Sequence, residues 1–104
     1  MTTGSLMDLK FPAPPEYVET FTPISSSGTL AVNTRYMVNA NNKTFTLPGS
    51  VDDGSWIQVS VDAVTGTVLS PPSGGSISGE SSITIDLAHV TLTLYGNGNS
   101  WYIV

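Results

Sequence analysis

The acid–base and nucleophile inventory is short: one histidine, fourteen serines and no cysteine in 104 residues. His89 is the only imidazole, and Asp86 stands three residues before it, so a Ser-His-Asp arrangement has its residue types. The Gly-x-Ser-x-Gly elbow that exposes such a serine is missing. Its nearest look-alike, Gly75-Ser76-Ile77-Ser78-Gly79, puts Ile77 where the nucleophile would stand. His89 falls between two strand-like runs, where a surface turn histidine is the simpler reading. Paired carboxylates across a cleft could hydrolyse a glycoside, but Asp52-Asp53 runs into Gly54 and reads as a turn. Aspartates gathered at a subunit axis could hold Ca²⁺, yet nothing in their spacing singles out such a site. The expectation is a protein that is not an enzyme and carries no metal and no cofactor.

The aromatic residues offer binding chemistry instead. Trp56, Tyr95, Trp101 and Tyr102 accompany the amide-rich turns around Asn39 to Asn42 and Asn97 to Asn99. Rings that stack on the apolar faces of sugars, beside amides that read hydroxyls, are what a carbohydrate-binding surface needs. Against that, Trp56 and Trp101 each sit beside alternating apolar positions, which suits a core or an interface better than a ligand site.

The elements that must position these residues are strands. Ile57, Val59 and Val61 alternate with Gln58, Ser60 and Asp62, and the same period of two runs through Ile83 to Leu87 and Val90 to Tyr95. Arg35 to Asn39, Lys43 to Leu47 and Ser100 to Val104 complete the set, with turns at Asn41-Asn42, Asp52 to Gly54 and Gly96 to Asn99. No window carries a helical period. Turn signals every 8–12 residues or so imply an all-β fold, here a compact antiparallel β-sandwich or prism-like module over residues 29–104. Within Ser70 to Ser82, Ile77 stands alone among small residues and reads as the buried anchor of a tethered loop.

Residues 1–28 differ in kind. Four of the seven prolines lie there, and the apolar residues Leu6, Leu9, Phe11, Tyr17 and Phe21 make the stretch adhesive. It reads as an extended attachment arm, and those five side chains are the expected gripping residues. The charge balance narrows the partners. Three basic residues against eight acidic ones give a net charge of −5, too little positive charge to bind phosphates, so nucleic acid is excluded. Charged residues make up 11% of the chain, against about 25% in ordinary soluble domains, while Ser and Thr supply 27 positions. Surface of that kind packs between subunits without burying ions. No apolar run suits a membrane span and the N-terminus lacks the pattern of a signal peptide, so assembly in a cytoplasm is expected.

The order of motifs is itself distinctive. Tyr36-x-Val38-Asn39 leads to Thr44-Phe45-Thr46-Leu47-Pro48, an acidic turn at Asp52 to Gly54, and Trp56-Ile57-x-Val59-x-Val61-Asp62. Ile77-x-Gly79, Ile83-x-Ile85, Leu92-Thr93-Leu94-Tyr95 and Trp101-Tyr102-Ile103-Val104 follow. This succession resembles a small β module of tailed-bacteriophage virion proteins, found in tail fibres and head decoration proteins, over about Thr34 to Val104. The resemblance implies a non-enzymatic homotrimer that assembles on the virion and contacts a major capsid or tail protein. It fixes no catalytic residues. The shortness of the chain beside a typical fibre suggests a small accessory protein, either a short fibre or a capsid decoration (cement) protein anchored by its arm. The alternative is a receptor-recognition module at a fibre tip that binds a host surface glycan through Trp56, Tyr95, Trp101 and Tyr102.

Overall fold

The structure is a computed structural model and describes residues 20–104. Leu6, Leu9, Phe11 and Tyr17 of the expected arm lie outside the described residues. The described residues form ten strands and no helix, bearing out the all-β reading. They are β1 (Thr22–Ile24), β2 (Gly28–Thr29), β3 (Thr34–Val38), β4 (Thr44–Thr46), β5 (Val51–Val61), β6 (Thr67–Ser70), β7 (Ser76–Ile77), β8 (Ile83–Ile85), β9 (Val90–Gly98) and β10 (Ser100–Ile103).

Two sheets carry them, ordered β1-β3-β5-β9-β10-β7 and β2-β4-β6-β8. From β1 to β9 the chain alternates between the sheets at every strand. Through β6 these passages lay the strands of each sheet parallel: β1 beside β3 beside β5 in one sheet, β2 beside β4 beside β6 in the other. The expectation of an antiparallel module is therefore corrected, because β1/β3, β3/β5, β2/β4, β4/β6 and β7/β10 all pair in parallel. Only β5/β9, β9/β10 and β6/β8 run antiparallel. The physical reason lies in the turns. At Asn41-Asn42 the chain crosses to the opposite sheet instead of folding back, with Asn42 at φ 58° and its N–H donating to Thr65 O over 2.9 Å. The boundary expected at residues 28 and 29 falls inside β2, and β1 is an edge strand of the larger sheet.

The acidic turn expected at Asp52 to Gly54 is likewise corrected. These residues lie within β5, where the register with β9 slips between Val51 and Ser55 and Gly54 adopts φ 90°. This is a β-bulge, with the glycine in the left-handed region that a side chain would strain.

The alternation read from the sequence decides what is buried. Ile57, Val59 and Val61 of β5 face the core with Tyr36 and Val38 of β3 and Leu94 of β9. Phe45, Leu47 and Leu69 oppose them from the smaller sheet side. Ile77 has no exposed surface, as its anchor reading requires, and its N–H and C=O both bond to Glu80. Trp101 fills the centre with no exposed surface, and its indole N–H donates to Pro48 O at 3.0 Å. Gly96 lies against that indole so closely that a Cβ there would approach the ring to 2.9 Å.

One core position is polar without compensation. Thr67 is fully buried and its Oγ1 has no hydrogen-bond partner. A buried hydroxyl without a partner is destabilising, so Thr67→Val, which replaces OH by CH₃, is expected to raise stability by about 1 kcal/mol. Urea unfolding reads this directly, and an unchanged or lower midpoint would show that the hydroxyl is satisfied in solution.

Candidate binding surface

Among the described residues, the histidine, aspartates and serines do not come together as a hydrolase would need. His89, at φ 59° in the turn before β9, is 71% exposed and places Nδ1 3.8 Å from Asp62 Oδ1, not beside Asp86. No hydrogen bond joins it to a serine among the described residues. Asp52 and Asp53 are exposed in the bulge of β5. No three His, Asp or Glu side chains gather closely enough to hold a metal ion among the described residues. No described helix is long and apolar enough to cross a membrane.

The four aromatic candidates separate into two groups. Trp101 belongs to the core, so its assignment to a glycan surface is corrected: a ring with no exposed surface, roofed by Gly96, cannot stack on a ligand. Trp56, Tyr95 and Tyr102 come together. In the antiparallel registers Trp56 opposes Tyr95, and Tyr95 opposes Tyr102. Residues directly opposed in such pairs project from the same face. The three rings thus form one row across β5, β9 and β10, with strands about 4.8 Å apart. It lies on the outer face of the larger sheet, since Ile57 and Leu94, the neighbours along the strands, point into the core. Tyr95 and Tyr102 are 45% and 52% exposed, and Trp56 is half-buried.

Polar rows flank the rings. On one side, Arg35 Nε donates to Gln58 Oε1 at 2.7 Å and Gln58 Nε2 donates to Thr93 Oγ1 at 3.1 Å. This chain runs along the paired positions Arg35, Gln58 and Thr93 on β3, β5 and β9. Beyond it, the hydroxyls of Ser60 and Thr91 meet at 2.7 Å. On the other side of the rings, Asn97 of β9 opposes Ser100 of β10. The Arg35 guanidinium also stands over the Phe21 ring, 4.6 Å from its centroid, a cation–π contact. Phe21, the one gripping candidate among the described residues, is thus held against the sheet face and remains 36% exposed.

A second surface was not anticipated from the sequence. Where β8 ends the smaller sheet, the two layers part and leave an open groove of about 280 Å³, lined by Ile83, Ile85, Leu87, Val90, Leu92 and Ile103. Leu87 beside it is 67% exposed, and Val104 is 69% exposed. The alternation marks Ile83, Ile85, Val90 and Leu92 as inward-facing, but only the structure shows that Ile83, Val90 and Leu92 are left partly uncovered while Ile85 is buried. Against models of known families and against curated proteins, the chain matches none.

Proposed function

We propose that this protein is a non-enzymatic structural component of a bacteriophage virion. In this reading it is a small homotrimeric fibre or capsid decoration protein, held to a capsid or tail protein by its N-terminal arm. The observation that carries it is the groove along β8, β9 and β10. A lone chain leaves Leu87, Ile103 and Val104 in water beside an apolar channel, and surface of that kind marks a contact. Closed symmetric assembly would cover it and hide the β8 edge as well. The scarcity of charge agrees, since hydroxyl-rich faces meet one another without desolvating ions. The motif order across Thr34 to Val104 supplies the virion context. The arm, with Leu6, Leu9, Phe11, Tyr17 and Phe21, is the proposed grip on the particle.

Two measurements test this. Light scattering coupled to size exclusion is expected to give a mass near three chains of 10.9 kDa. Leu87→Asp, at an exposed position where folding tolerates a charge, is expected to reduce that mass to one chain while leaving the circular dichroism spectrum intact. A parent protein that stays monomeric up to high concentration removes the groove as a subunit contact. Mass spectrometry of gradient-purified particles tests the location, and absence of the chain from them overturns the virion assignment.

A further inference from the structure

We propose that the row Trp56–Tyr95–Tyr102 is a stacking platform for an uncharged polysaccharide lying across the strands. The proposal goes beyond the virion reading and does not depend on it. Four observations carry it. First, the three rings occupy one register row on adjacent strands, so they present a linear series rather than a scattered patch. With adjacent strands about 4.8 Å apart, one saccharide chain crossing them passes over all three side chains.

Second, the polar ends of these side chains are unused by the described residues. Neither phenol hydroxyl, nor the Trp56 indole N–H, has a hydrogen-bond partner among the described residues, whereas the core indole of Trp101 is satisfied by Pro48 O. An aromatic residue with one apolar face and one free donor suits a ligand that is apolar on its ring faces and hydroxylated at its rim. Third, the flanking rows are amides and hydroxyls: Gln58 and Thr93 on one side, Asn97 and Ser100 on the other. Gln58 is already oriented by Arg35 and Thr93, so its position is set before a ligand arrives.

Fourth, charge selects within the class of glycans. The chain carries a net charge of −5, and Arg35, the described cation on the same sheet face, is engaged by Gln58 and Phe21. A polyanionic glycan would be repelled overall and find no free cation beside the row among the described residues, whereas a neutral one meets neither obstacle.

The test is a titration of the full chain with laminarin, dextran and mannan, three soluble neutral polysaccharides, and with hyaluronan as the polyanion. Tryptophan emission is the readout. Trp101 is sealed in the core, so any ligand-dependent change reports on Trp56. At least one neutral polysaccharide is expected to shift the emission, with a half-saturation concentration raised about tenfold or more by Tyr95→Ala and by Tyr102→Ala. Tyr95→Leu and Tyr102→Leu keep apolar bulk without a flat ring, and a comparable loss in them assigns the effect to stacking. Thermal midpoints equal to the parent's establish that these exposed positions leave the fold intact. No response to all three neutral polysaccharides overturns the proposal, as does a response that survives in the double variant Tyr95→Ala/Tyr102→Ala. Preference for hyaluronan overturns the neutral-ligand assignment. A change of molecular mass in the double variant assigns the row to contact between copies of this chain instead.

Discussion

Trp101→Ala is expected to cost about 3–5 kcal/mol, the largest effect of any single truncation in the described core. The indole is the largest side chain with no exposed surface. It touches both layers: β10 carries it, β9 covers it through Gly96, and its N–H ties it to Pro48 O just after β4. Removing it leaves a cavity bounded by rigid sheet backbone that has little means of collapsing, and it orphans the Pro48 carbonyl. Domains of this size are held by only about 5–15 kcal/mol, so a large part of the stability goes with one residue. Trp101→Phe keeps most of the volume and loses the hydrogen bond, so a smaller loss is expected. Urea unfolding followed by far-ultraviolet circular dichroism measures both, independently of the removed fluorophore. A loss under about 1 kcal/mol for the alanine variant, well below the range for buried aromatic truncations, would show that the core does not depend on this ring.

Gly75→Ala is the second large effect. A Cβ at Gly75 would run into the carbonyl oxygen of Asn99 and stand 2.9 Å from its carbon, both backbone atoms that cannot rotate away. Relief requires the chain before β7 to move off the β9–β10 turn. Two contacts are endangered directly: the Ser78 N–H to Trp101 O at 2.7 Å, and the Ile103 N–H to Ser78 Oγ at 3.0 Å. The buried anchor Ile77, paired with Trp101 across the parallel β7–β10 register, moves with them. The expected cost is about 3 kcal/mol, at the upper end for overpacking because backbone meets backbone. Gly28→Ala is the control: its added methyl meets nothing within 4 Å, so a change within about 0.5 kcal/mol is expected. If the two variants unfold at the same urea concentration, the close approach of Gly75 to Asn99 does not exist in solution.

Much of the fold is legible in the residue pattern because alternation reports a strand's faces. Ile57, Val59 and Val61 lie in the core and Gln58 and Ser60 on the outer face of the sheet, as the period of two requires. Lone Ile77 is the anchor its surroundings suggested. What alternation does not carry is the identity of a strand's neighbour. Asn41-Asn42 looks the same whether the chain folds back to make a hairpin or turns the corner into the opposite sheet, since either use exploits the tolerance of asparagine for positive φ. Likewise Asp52-Asp53-Gly54 marks a departure from regular extended backbone, and a bulge meets that description as well as a turn does.

The binding surface divides on the same line. Tryptophan in a strand suits core and surface equally. Trp56 and Trp101 are told apart only by register, which sets one beside Tyr95 and the other beside Gly96. The glycine that admits the second indole was itself legible only as part of a turn. The groove was invisible for another reason: it is made by the early end of one layer, a fact about the number of strands in each sheet and not about any residue.

The coil of parallel strands also bears on how the native state is reached. Among the described strands, β9 and β10 alone join neighbours in sequence through a tight turn, at Gly98-Asn99. Every other pairing brings together segments separated by at least one crossing to the opposite layer. Loop-closure entropy must be spent before such contacts begin to stabilise anything, which places the chain among slow-folding topologies of high contact order. During that delay, half-formed sheets present open edges to other chains. Until the two layers meet, the apolar faces carrying Ile57, Val59, Val61 and Leu94 lie open as well, so closing one layer over the other is also what withdraws the chain from aggregation.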